Sequence, residues 1–145
     1  MKISTTRFGT LELDEATFIH FPWGIPGFEN LKRYVLVELR QGPFKWLQAV
    51  DHPDVAFVVS PPDVFGLQYT VPAMRASLID LQDSKDLAIL VLISFDRTTR
   101  TVRPHVRTPL LLNASNRQAY QWVIEAGEEQ SVVHIVKDTK KEETP

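Results

Sequence analysis

Cysteine is absent from this 145-residue chain, so it has neither a disulfide framework nor a thiolate metal site. A secreted, stapled scaffold is disfavoured and a reducing compartment fits. Long apolar runs are missing as well. The longest, Leu87 to Ile93, falls far short of the roughly 20 residues a spanning helix needs, and Met1 to Arg7 contains no apolar signal core. The expectation is a cytoplasmic protein with no membrane partner. Neither sign of charge dominates: 16 Lys and Arg face 18 Asp and Glu, a formal charge of -2. That balance supplies no global field for nucleic acid or acidic lipid, so any RNA contact has to be local.

Catalytic signatures are missing too. There is no GxSxG, no GxxxxGK[ST] and no GxGxxG, and His20, His52, His105 and His134 are scattered without metal-ligand spacing. Asp51 and Asp54 flank His52 like an acid/base cluster, but Asp51-His52-Pro53-Asp54 is also what a tight turn requires, with Asp capping N–H groups and Pro fixing φ. We expect no catalytic residue, no metal, no cofactor and no enzyme activity.

What is present is a series of short segments rich in Val, Ile, Leu and Phe between Gly, Pro, Asn and Asp, the pattern of antiparallel strands joined by turns. Strands are expected near Lys2–Thr5, Thr10–Leu13, Phe18–Phe21, Tyr34–Leu39, Phe44–Ala49, Val55–Ser60, Leu87–Phe95, Thr101–Val106, Leu110–Asn113, Tyr120–Glu125 and Val132–Val136. Gly42-Pro43, Asp51 to Asp54 and Asp96 to Thr99 mark hairpins or corners. Ala56 to Val59 and Leu87 to Ile93 do not alternate, which predicts strands covered on both faces. A helix is expected over Pro72–Leu81, with Met74, Leu78 and Leu81 on one face, plugging a sheet edge or barrel mouth. Trp46, Phe57, Val59, Leu90 and Leu92 are the expected core. The fold class is mainly β: one antiparallel barrel-like or sandwich-like domain over residues 1–136, with one or two short helices and a polar, frayed tail at 137–145.

Three features bear on binding. Gly24-Ile25-Pro26-Gly27 has the spacing of a backbone-clamping loop, but Pro22 and Pro26 remove donors and Trp23 and Phe28 flank it, so an aromatic-lined turn is expected. Period-2 spacing would align Arg103, His105 and Arg107 on one strand face beside Arg97 and Arg100. The expectation is a solvated face with Val102 and Val106 turned inward; as a recognition stripe it suits acidic protein as well as RNA, since no stacking aromatics interleave with it. Phe65, Leu67 and Tyr69 lie in a Pro- and Gly-containing stretch. Exposed, they form a recognition patch; buried, a core lid. Acidic residues, Asp80, Asp83, Asp86, Glu125, Glu128 and Glu129, are expected to keep the surface soluble.

The string His20-Phe21-Pro22-Trp23-Gly24-Ile25-Pro26-Gly27-Phe28-Glu29 resembles the bacterial flagellar assembly factor family, FliW. Phe44 to Asp51, Ala56 to Val59, and Thr108 to Asn113 with Asn116-Arg117 agree in order and spacing, so the resemblance spans residues 1–136. Two stretches depart: Gln118-Ala119-Tyr120, where a Lys-Gly step is common, and Val132 to Ile135, where Arg-His-Pro is common. The resemblance implies a barrel-like protein without cofactor and with two protein partners. One is the carbon storage regulator, a dimeric RNA-binding repressor of flagellin translation; the other is flagellin, which the protein binds as a chaperone. By this account the family member sequesters the repressor and is itself sequestered by accumulating flagellin, with a monomer favoured as the free state. The competing assignment is a direct RNA-binding module using Arg97 to Arg107.

Overall fold

Turns rich in Gly, Pro and Asp organise the chain into hairpins. The computed structural model describes residues 1–38 and 42–136. Its strands are β1 (Lys2–Thr5), β2 (Gly9–Glu12), β3 (Ile19–His20), β4 (Arg33–Glu38), β5 (Lys45–Ala49), β6 (Ala56–Ser60), β7 (Leu67–Tyr69), β8 (Leu87–Asp96), β9 (Thr101–Pro104), β10 (Leu110–Asn113), β11 (Gln118–Gln121) and β12 (Val133–Ile135). Two short helices are α1 (Ala73–Ser77) and α2 (Glu129–Val132). The three expected hairpins form as β4–β5, β5–β6 and β8–β9, all antiparallel. The last residue of the expected Tyr34–Leu39 strand and the tail at 137–145 lie outside the described residues.

Strand pairing closes into a ring, β3-β4-β5-β6-β8-β10-β11 and back to β3. The fold is therefore mainly β and barrel-like. One ladder is parallel, β11 beside β3. Strict up-and-down alternation cannot run round a closed ring with an odd number of strands, so one neighbouring pair has to share a direction. Strand β8, ten residues long, makes closure possible. Leu87 to Leu90 pair with β10 and Ile93 to Asp96 with β9, while Val91 to Ile93 pair with β6 on the opposite edge.

The period-2 alternation of strands then sorts side chains into layers. Tyr34, Leu36, Leu47, Ala49, Phe57, Val59, Ala88, Leu90, Leu92, Leu110, Leu112 and Ala119 face the barrel interior. On the outer side, Leu87, Ile89, Leu111 and Tyr120 meet Ile79, Trp122, Ile124 and Val132. A third cluster lies under the β1–β2 hairpin, where Ile3 and Leu11 cover Val35 and Val37. This explains why Leu87 to Ile93 does not alternate: one face fills the barrel and the other is covered. Each fully buried aliphatic or aromatic side chain contributes about 1.5–3 kcal/mol.

Several expectations need correction. Trp46 is not interior; it is half-buried outside the barrel, edge-on to Phe8 (6.1 Å between centroids) with the Arg7 guanidinium 4.6 Å from its ring. Its parity on β5 opposes that of Leu47, so the outer face was its only option. Helix α1 spans five residues, not ten, because Asp80 adopts φ 54° and ends the turn. Met74 is 69% exposed, and the fully buried residue of that segment is Ile79. The segment covers the outer cluster and does not plug the barrel. Strand β7 falls in the stretch expected to be loop, where Val133 to Ile135 of β12 pair with it. Strand β11 starts earlier than expected, and Trp122 and Ile124 bond instead to the carbonyls of Pro109 and Arg107 (2.9 and 2.7 Å).

Candidate functional site

The loop between β3 and β4 has two sides. Inward, Phe21, Ile25 and Leu31 enter the barrel core, with Phe21 edge-on to Tyr34 at 5.1 Å. Successive tight turns hold it, with Gly24 N–H donating to Phe21 O (2.8 Å), Phe28 N–H to Ile25 O (2.6 Å) and Leu31 N–H to Phe28 O (3.0 Å). Gly24 has φ +69°, and a Cβ there would lie 2.6 Å from the Glu29 Cα, so no other residue fits unstrained. Glu29 caps the loop by accepting from the Gly27 N–H at 2.7 Å. Backbone N–H groups, that of Gly27 first, hold its carboxyl below the usual range.

Outward, the same loop presents Trp23, 53% exposed, edge-on to Tyr120 of β11 at 6.0 Å. Trp23, Gly24, Pro26 and Glu29 form one wall of a groove of about 370 Å³; Leu78, Tyr120 and Gln121 form the other. Arg75 of α1 donates to the Tyr120 hydroxyl at 3.1 Å, tying helix to sheet. Burial pushes the Tyr120 phenol up, while Arg75 draws it down. A second groove of about 280 Å³, lined by Phe28, Leu31, His52 and Val55, lies across the loop. An open apolar groove rimmed by an aromatic side chain suits contact with another protein's side chains. No sequence pattern links Trp23, Leu78 and Tyr120; only barrel closure, which brings β11 beside β3, places them together.

The residues singled out from sequence are spread over two other regions. Leu67 is buried, Tyr69 packs on the outer cluster and donates to Val106 O at 2.5 Å, and Phe65 stacks on Phe44 at 6.2 Å. Burial holds the Tyr69 phenol up at about 12. This geometry is that of a lid. Arg103 and His105 share a face, where the His105 ring meets Ser94 Oγ at 2.5 Å. Arg107 leaves that face, because β9 stops at Pro104, and turns to Ile124 O (3.3 Å) and Glu129 (3.4 Å). Val102 does not point inward; it is exposed opposite Phe95.

The polar residues of the Asp51–Asp54 corner have structural roles. Asp51 is held by Arg33 through two contacts of 2.6 and 3.0 Å, His52 Nδ1 accepts from the Asp54 N–H, and the two N–H groups of the buried Gln48 amide are shared among four carbonyls of the same corner at 3.1–3.3 Å. The Ser94–His105 pair is exposed, and no carboxylate orients the imidazole among the described residues. Among those residues no group of three or more His, Asp or Glu could hold a metal, and no helix is long and apolar enough to cross a membrane.

A family model described as FliW protein matches residues 2–136. The chain belongs to the FliW family. It is 33% identical over 129 residues to the flagellar assembly factor FliW of Caldanaerobacter subterraneus subsp. tengcongensis, covering 86% of each chain. It is 34% identical over 143 residues to that of Geotalea uraniireducens, covering 97% of this chain and 87% of the relative. A crystal structure of the flagellar assembly factor FliW superposes with a TM-score of 0.80 at 23% identity, over 95% of this chain and 99% of the other, which shows the shared fold. The FliW strings now have places: His20 to Glu29 is the plug-and-groove loop, Phe44 to Val59 covers β5 and β6, and Thr108 to Arg117 is β10 with its turn. In that turn Asn113 and Asn116 both donate to Ile79 O (2.9 and 3.1 Å). Of the two departures from the FliW pattern, Gln118 to Tyr120 borders the groove, and Val132 to Ile135 spans the end of α2 and all of β12.

Proposed function

We propose that the chain is a cytoplasmic regulatory binding protein of flagellum assembly. It sequesters the carbon storage regulator, relieving repression of flagellin translation, and it binds flagellin as a chaperone, which reverses the relief. Membership of the FliW family supports the setting in flagellum assembly. The observation that carries a binding role is the exposed Trp23–Leu78–Tyr120 groove, held in place by a loop whose other side is core. The protein works without a cofactor, by occupancy.

Occupancy acts as a switch only through differential affinity. If attachment of this chain weakens repressor–RNA binding tenfold, the coupling is about 1.4 kcal/mol, and RNA must weaken the chain's grip on the repressor equally. The test is repressor binding to a flagellin leader RNA with this chain present, with and without flagellin. RNA affinity should fall on adding the chain and recover on adding flagellin, and Trp23→Ala should blunt one of these effects. Unchanged repressor–RNA affinity defeats the regulatory half; flagellin that neither binds nor restores RNA binding defeats the partner switch.

A further inference from the structure

We propose that the β8–β9 hairpin is a docking element for an acidic, apolar-studded segment of a partner protein, recognised through side chains. This rests on the reading of the chain as a protein-binding protein, but it concerns a surface remote in sequence from Trp23. Phe95, 60% exposed, faces Val102, 38% exposed, across the hairpin. The His105 N–H bonds to Leu92 O at 2.8 Å. By alternation Phe95 and Val102 therefore form a non-hydrogen-bonded pair, the closer kind, with both side chains on one face. Arg103 lies on the opposite face, and Arg97 and Arg100 occupy the turn. Asp96 shapes that turn by accepting from the Thr98 and Thr99 N–H groups (2.9 and 3.3 Å), and Arg100 holds φ 56°.

Charge complementarity names the occupant. Residues 93–104 carry three arginines and one aspartate within a chain of net charge -2, so the hairpin is a positive projection on an otherwise acidic molecule. Arg33, Lys45, Lys85 and Arg107 have carboxylate partners, whereas Arg97, Arg100 and Arg103 form no ion pair among the described residues. Protection of an edge strand accounts for the arginines and for Pro104, whose position by the same alternation faces the open edge with no N–H to offer. It does not account for an exposed phenylalanine over an exposed valine. That combination, an exposed aromatic–aliphatic pair on a hairpin whose turn carries Arg97 and Arg100, has the apolar anchor and the charge of a protein-binding surface, and the positive tip steers acidic partners towards it. Pro104 weakens the edge as a template for an added strand, which leaves side chains as the means of recognition. RNA is disfavoured because a single aromatic makes no stacking platform.

The experiment titrates the full chain into a labelled peptide of Glu-Glu-Leu repeats, its Gln-Gln-Leu counterpart, and single-stranded oligouridine of equal length, read by fluorescence anisotropy. The acidic peptide should bind at least tenfold more tightly than the Gln peptide. The same loss should follow from Arg97→Glu/Arg100→Glu/Arg103→Glu and from Phe95→Ser, all exposed positions whose folding circular dichroism verifies. Trp23→Ala should leave peptide binding unchanged. No binding of the acidic peptide, equal binding of the Gln peptide, insensitivity to the hairpin substitutions, or tighter binding of RNA would each overturn the proposal. Any of these leaves the repressor–RNA assay, which reads the function proposed above, standing or falling on its own.

Discussion

Replacing Gly24 with alanine tests how the plug-and-groove loop is built. At φ +69° an L-residue sits in the left-handed region, which costs about 1–2 kcal/mol. The added methyl would also lie 2.6 Å from the Glu29 Cα and 2.7 Å from its carbonyl oxygen, against backbone atoms and not a pliable side-chain end. Overpacking of this kind adds about 1–3 kcal/mol, so the two effects together predict a loss of about 2–5 kcal/mol. Gly27 supplies the control. Its φ is +90°, yet nothing lies within 4 Å of an added Cβ, so Gly27→Ala should show the conformational cost alone. Urea unfolding followed by far-ultraviolet circular dichroism reads both. With a mid-range slope of about 2 kcal/mol/M, the Gly24→Ala midpoint should fall about 1–2.5 M and the Gly27→Ala midpoint less. Tryptophan fluorescence, to which Trp23 contributes with Trp46 and Trp122, should shift for Gly24→Ala before unfolding begins, because the loop has to move off Tyr120. Equal destabilisation by the two substitutions would refute the collision.

Four further outcomes follow from the polar groups of the fold. The Tyr34 hydroxyl is fully buried with no hydrogen-bond partner among the described residues, so Tyr34→Phe should leave stability unchanged or higher, whereas Tyr69→Phe, which loses the bond to Val106 O, should cost about 1 kcal/mol in a urea melt. Burial holds the Tyr34 and Tyr69 phenols at about 12, above the ordinary 10.0, because it disfavours the ionised form; the fold keeps its full stability below pH 10 and loses some as pH rises through 12, and tyrosinate absorbance should report both titrating late. Hydrogen bonding to Arg33 lowers the Asp51 carboxyl below 3.8, so its contribution is present above that pH and lost as pH falls through the lowered value; the pair is partly exposed, and Asp51→Asn should cost less than about 1 kcal/mol at pH 7 and nothing in acid. Asn113 is buried and bonded to the carbonyls of Ile79 and Asp80 and to the Ser115 N–H; Asn113→Ala should lower the melting temperature, with a loss of about 1–3 kcal/mol.

Much of the sheet was legible because its signals are local. Strands β1 and β10 lie where the Val-, Ile- and Leu-rich runs placed them, and Asp51 to Asp54 turns because Asp and Pro favour that backbone whatever surrounds it. Strand β7 was illegible because Leu67-Gln68-Tyr69 has no turn-linked partner; β12, more than sixty residues on, supplies the ladder. The apolar spacing of Met74, Leu78 and Leu81 suggested a longer helix than forms. Helical periodicity marks which residues would align, but it does not show that Asp80 turns the chain so that Ile79 takes the buried place.

By itself the sequence determined the mainly β class, the hairpins, the doubly covered β8 and, through four ordered strings, the FliW family. These depend on turn chemistry, alternation and residue identity, all of which act within a few residues. Tertiary structure alone decided the parallel closure of β11 on β3, which an odd-stranded ring requires. It also decided that Leu67 and Tyr69 form a lid, that Arg107 leaves the basic stripe for Glu129, and that Trp23, Leu78 and Tyr120 share a groove. Each of these depends on which distant segments share a face once the barrel closes, and burial energy, which has no sequence range, selects that arrangement.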